Sequence, residues 1–294
     1  MTVTKPIPKS SAASYKTKKK IKAIVYHGFV LLFGFVMIYP LLWMLASSFK
    51  PTEEIFNNAA SLIPIVFFPE NYATGWRGFG GFTFANFFRN SFVISSLATI
   101  GTMVSAPFVA FGFARLNFKG RKIWFGLMLM TMMLPFQIIM VPQYIIFHNI
   151  GWVNTILPLV VPSFTGGAFF VFLVVQFIYG IPRELDESAF IDGCSWYGIY
   201  FKIILPLIVP AVVTCAIFSF MWSWDNFLGA LLYLNRPVDY TVALALRLFS
   251  DPAANSDFGA LFAMSVLSLA PIMIIFIFCQ RYLVEGISTE GLKG

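Results

Sequence analysis

A chain of 294 residues that is 59% hydrophobic, 18% aromatic and only 11% charged is too apolar for a soluble domain, in which about a quarter of residues are charged. The net charge of +7 would suggest nucleic acid in a soluble protein; here the basic residues follow membrane topology, which removes that reading. Cys194, Cys215 and Cys279 are far apart and form no CxxC, and His27 and His148 are the only histidines, so neither a disulfide framework nor a metal site is expected.

Taken in order, residues 1–22 hold seven lysines and no acid, and are expected to form a disordered basic tail. A membrane domain should follow over residues 23–284. Six uncharged apolar runs, at about 23–48, 90–114, 123–146, 153–180, 203–228 and 258–280, are each long enough to cross the hydrocarbon core as a helix, which takes roughly 20 residues. The first follows a lysine cluster as a signal peptide would, but is longer than a signal's apolar segment of roughly 7–15 residues, and reads as an uncleaved span. Strands are excluded, because the runs lack the alternation of membrane barrels. The fold class is therefore all-α and polytopic, with six spans.

The even number of spans puts both termini on one side. That side carries fifteen of the twenty basic residues; the other has Lys50, Arg77, Arg89, Arg236 and Arg247. The positive-inside rule places both termini in the cytoplasm. Outside, residues 49–89 are expected to hold short helices on the membrane surface, and residues 234–257 form a second loop. Eight prolines fall inside spans: Pro40, Pro107, Pro135, Pro142, Pro158, Pro162, Pro210 and Pro271. Each removes an amide donor, and the set suits a bundle whose helices shift.

Residues 123–182 contain no Asp, Glu, Lys or Arg. Proton-coupled carriers place ionisable groups at mid-membrane, so their absence argues against one. Glycine is never followed by lysine, so the chain has no P-loop of its own, and no hydrolase motif occurs. Uphill transport by this protein would draw its energy from a partner.

The cytoplasmic loop 183–206 is the most informative segment. Pro182 suits a helix's first turn, and Glu184, Asp186 and Glu187 complement the helix dipole. Leu185, Ser188 and Ala189 form a small apolar face, and Gly193 would end the helix in left-handed torsions. A second short helix over 195–204 would break at Leu205-Pro206. The loop fits either an amphipathic surface helix or a docking site. Its excess of acids on the cytoplasmic side favours a partner with basic residues.

The pattern Glu187, Ala189, Gly193, Ile203, Leu205 and Pro206 resembles the "EAA" loop of the membrane subunits of ATP-binding-cassette importers, with Ser188 in place of the usual first Ala. Tyr39-Pro40-Leu41-Leu42-Trp43, Ser48-Phe49-Lys50-Pro51, Glu54-Ile55-Phe56 and the end of the chain, Gln280-Arg281-Tyr282-Leu283-Val284-Glu285-Gly286 and Gly291-Leu292-Lys293-Gly294, resemble its oligosaccharide branch, the maltose-system permease type. Glu285 stands where that branch often has Lys. The resemblance implies a non-catalytic permease domain over 23–284, coupled through loop 181–206, with a short tail at 285–294. It implies a second permease subunit, two ATPase subunits, an extracytoplasmic solute-binding protein and membrane lipid as partners, in a prokaryotic cell membrane. ATP and Mg would sit on the ATPases and no cofactor on this chain. By the same resemblance Glu290, Gly291 and Lys293 would reach the ATPases.

For the solute path, Trp222 and Trp224 have the rings that stack on sugars, and Asp225 and Asn226 the groups that bond hydroxyls. The same residues fit an aromatic belt at the interface. Gln137, Gln143 and Gln176 are further candidates, and buried amides equally join helices. Two other readings stay open: a self-sufficient secondary carrier or channel, and a membrane enzyme with Asp225, Asp239 and Asp257 as its weak catalytic candidates.

Overall fold

A computed structural model describes residues 9–250 and 257–288. Among the described residues the structure is helical, with no strand beyond an isolated bridge between Phe79 and Phe82. Helix α1 runs Lys9–Ser47, so residues 9–22, expected to be disordered, are helical, and the helix begins ahead of the candidate span Lys19–Ser47. No Gly or Pro interrupts the stretch from Lys9 to Lys22, so nothing in it stops the helix. Two short helices follow, α2 (Thr52–Asn57) and α3 (Glu70–Arg77), as expected for the first outside segment.

Helix α4 (Phe84–Arg115) is the centre of the bundle. Ile94, Ala98, Thr102, Ala106, Ala110 and Ala114 recur every four residues and are all buried. This row is one ridge of the helix, and its small side chains let neighbours approach closely. Thr102 shares a 3.0 Å hydrogen bond with Ser219 across that contact.

Helices α5 (Arg121–Thr131) and α6 (Phe136–Asn149) meet at 99°. The third span is thus a broken one. Pro135 forces the residue before it away from helical torsions and itself sits extended at ψ 140°. The fourth span combines α7 (Leu157–Val160), a 3-10 turn at Val161–Thr165 and α8 (Ala168–Tyr179). Then come α9 (Glu184–Ile191), α10 (Trp196–Ile199), a π turn at Tyr200–Ile204 and α11 (Leu205–Leu207). Helix α12 (Val209–Trp224) leaves at 73° to the segment before it. The bend falls at Ile208, between Pro206 and Pro210, which both lack the amide that would carry the helix through. Prolines 40, 107 and 271, by contrast, lie inside unbroken helices.

Two further helices, α13 (Phe227–Tyr233) and α14 (Val242–Phe249), precede α15 (Phe258–Ser288). Helix α14 falls where a loop was expected. It buries Val242, Leu244 and Ala245, and the Thr241 hydroxyl caps its start by accepting from the Leu244 amide. Among the described residues four helices are long and apolar enough to cross a membrane, and counting each of the two bent pairs as one span brings the number up to six.

Candidate functional site

The loop after α8 folds as its punctuation dictates. Gly193 has φ +78°, and the Gly193 and Cys194 amides donate to the carbonyls of Phe190 and Ala189 at 3.0 and 2.9 Å. This is the paired closure of a Schellman motif. Ser195 caps the next helix, its hydroxyl accepting from the Gly198 amide. Helix α9 ends at Ile191, two residues before the Gly193 expected to end it.

What fixes the loop to the bundle is an ion pair. Arg115, the last residue of α4, places Nε 2.7 Å from Asp186 Oδ2, with side chains only 2% and 8% exposed. Arg115 also donates to the Ile181 carbonyl at 2.8 Å, and Arg183 donates back to the Ala114 carbonyl at 3.3 Å. Those carbonyls lie at helix ends, where intrahelical partners run out. Burial pushes the Asp186 carboxyl above the ordinary carboxylate range, against the opposing charges of Arg115 and Arg183. Phe190 and Trp196 meet edge to face at 4.5 Å and close the other side. A cleft of about 500 Å³ opens between this loop and the α4–α5 turn, with Arg115, Arg183, Glu187 and Trp196 in its wall.

The motif residues divide by burial. Ala189 is buried against the core, with Ile203 and Leu205 packed at its edge. Glu187, Ser188, Gly193 and Pro206 are exposed. So is Ile191, 88% accessible at the end of α9. Sequence reading named Asp186 only as an acid at the start of the loop helix, and missed Ile191 and Arg115 as members of this site. The Arg–Asp pairing has no local signal, since 70 residues separate the two; a large apolar side chain at the end of an acidic surface helix was a usable one. Glu290, Gly291 and Lys293 lie outside the described residues.

The solute-path candidates do not form one cluster. Trp222 and Asn226 line a cavity of about 270 Å³ together with Thr102, Ser163, Ser219 and Ser223. Asn226 is also the cap of α13, accepting from the Gly229 amide at 2.9 Å. Trp224 is instead packed in the core, its Nε1 donating to the Ser268 carbonyl at 3.2 Å and its ring stacked on Phe220. Asp225 is exposed at the end of α12. Gln143 accepts from the Tyr233 hydroxyl at 3.3 Å, while Gln137 and Gln176 are exposed. The hydroxyls of Thr102, Ser163, Ser219 and Ser223 were not singled out in the sequence, where nothing separates them from the many serines that merely bond their own helix.

Residues 99–289 match the family described as binding-protein-dependent transport system inner membrane component. The chain is 34% identical over 267 residues to the probable ABC transporter permease protein YurM of Bacillus subtilis (strain 168), covering 90% of this chain and 87% of that one. It is also 34% identical to the arabinooligosaccharides transport system permease protein AraQ of Halalkalibacterium halodurans, over 95% of this chain and 99% of that one. Among solved structures, a chain of a bacterial ABC transporter involved in the import of the acidic polysaccharide alginate superposes with a TM-score of 0.76, at 18% identity, over 95% of this chain and 99% of its own.

Proposed function

Because the chain belongs to the binding-protein-dependent transport system inner membrane components, we propose that it is one permease subunit of an ATP-driven carbohydrate importer. It is a multi-pass membrane protein. The relatives' substrates support an oligosaccharide or glycoside as cargo. In this reading the chain forms half of the translocation path with a second permease subunit, receives solute from an extracytoplasmic binding protein, and has no catalytic role. ATP and Mg are held by two partner ATPase subunits.

The observation that carries the reading is the seating of α9. A short acidic helix is locked by Arg115–Asp186 onto the end of the central span while Glu187, Ser188 and Ile191 face outward. A push on that helix passes directly to α4, and α4 contacts α8 and α12 along its length. Rigid-body motion at a bistable interface is the established way such a displacement reaches a distant site. The cavity beside Trp222 and Asn226 has the stacking ring, amide and hydroxyls that a sugar requires, and α4 and α12 form its walls. Trp222, Asn226, Thr102 and Ser219 are our candidates for solute contact. Both termini and loop 181–206 lie in the cytoplasm on the charge distribution, and residues 290–293 are a second candidate contact with the ATPases.

The test is purification of the tagged chain in mild detergent. Recovery of a second permease and an ATPase, lost with Glu187→Lys, supports the assignment. Recovery of the chain alone, with uptake intact in the variant, overturns it in favour of a self-sufficient carrier.

A further inference from the structure

The segment between α2 and α3 combines two properties that do not belong together in water. Residues 62–68 read Leu-Ile-Pro-Ile-Val-Phe-Phe, with no polar side chain, and Ile63, Ile65, Val66 and Phe67 are 78%, 76%, 53% and 66% exposed. Yet four of the six amides of this exposed segment, those of Ile63, Ile65, Val66 and Phe68, are met by protein groups. The Glu54 carboxylate accepts from the Ile65 amide at 2.7 Å through one oxygen and from the Val66 amide at 3.2 Å through the other. Ser61 Oγ donates to the Ile63 carbonyl and accepts from the Ile63 amide, and the Phe68 amide donates to the Phe49 carbonyl at 2.8 Å. Pro64 brings no amide. The fully buried Lys50 ammonium donates to the carbonyls of Ser61 and Asn58 at the base of the loop. A loop in water has no need of this, because solvent bonds its amides. A loop in hydrocarbon does, because each unmet amide there is costly.

Its depth is fixed by α1. Trp43 donates from its indole to the Ala59 carbonyl, and Phe67 stacks on Phe49 with centroids 4.9 Å apart. Trp43 lies four residues before the end of the apolar span at Ser47, about 6 Å inside it at 1.5 Å per residue. The loop therefore runs beside the last turn of a helix whose apolar face is itself uncovered along the span.

We propose that residues 62–67 form a preformed apolar finger inserted among the lipid acyl chains of the leaflet at the C-terminal end of α1. The finger continues the lipid-facing surface of α1. Its side chains carry no donor or acceptor, and Glu54, Ser61 and Lys50 hold it in shape. The inference depends on membrane residence and not on the cargo or the energy source.

The experiment uses the assembled complex in nanodiscs, with Cys194, Cys215 and Cys279 replaced by Ser and a single Ile65→Cys carrying an NBD fluorophore; Ile63→Cys serves as a second position. Lipids spin-labelled near the headgroup end of the acyl chain report lipid contact, and iodide reports water contact. The expected result is a loss of emission with spin-labelled lipid several-fold greater than with iodide, and a fall in that ratio with Glu54→Ala. Quenching mainly by iodide would show a loop in water and overturn the proposal. Protection from both quenchers would show a protein partner over the loop and overturn it equally.

Discussion

Arg115 and Asp186 lie 2.7 Å apart, almost wholly out of solvent, and this pair is the rigid joint between the central span and the loop that carries α9. Its strength does not come from the pair itself, since desolvation of two charges offsets most of their attraction. It comes from what happens when one charge is left alone.

Asp186→Ala should therefore cost about 3–5 kcal/mol, the usual effect of stranding a buried charge, read as a lower thermal transition of the purified protein. Replacing both residues by apolar ones, Arg115→Met with Asp186→Leu, should restore most of the stability. A double variant as unstable as the single would show that the pair is not where the energy lies.

Ile191→Asp tests the outward face. At 88% exposure the side chain has almost no intramolecular contact to lose, so the thermal transition should not move. Binding of the ATPase should weaken by a factor of about 5–30, as for loss of roughly 1–2 kcal/mol at an interface anchor. The measurement is an equilibrium titration of the ATPase onto the detergent-purified permease; unchanged affinity would remove Ile191 from the docking surface.

Gly193 gives a backbone test. Its φ is +78° and a Cβ there would touch nothing, so the only penalty is torsional. Gly193→Val should cost about 1–2 kcal/mol and slow uptake, while Gly193→Asn, which tolerates the left-handed region, should stay near the parent. Equal uptake by the two variants would mean that the closing turn is not under torsional control.

Gly101 tests the α4 contact. A Cβ there would lie 2.6 Å from the Phe164 ring, so Gly101→Ala should cost about 1–3 kcal/mol by overpacking. Phe164→Ala in the same chain should recover most of it. Melting curves of the parent and the two variants decide the matter.

Much of the loop was legible beforehand because its determinants are local. Acids in the first turn and glycine at the end act within a few residues, and the structure has them in those places; Pro182, expected in the first turn, precedes it, and the cap at Ser195 was not foreseen. The spans were legible for the same kind of reason, since hydropathy is a property of a segment. The breaks were not. Pro107 and Pro135 look alike in sequence, but one sits in a continuous helix and the other at a 99° bend.

By itself, then, the sequence determined an all-α membrane protein of up to six spans and the place of one short loop helix. Tertiary structure decided direction. Trp222 and Trp224 are two positions apart on one helix, yet one faces the cavity and the other the core. Ala189 turns inward while Ser188 beside it stays outside. Arg115 finds Asp186 across two intervening spans. Apolarity tells a segment to leave water, but in a membrane every face of the helix is apolar, so only the packed neighbours settle which face is covered.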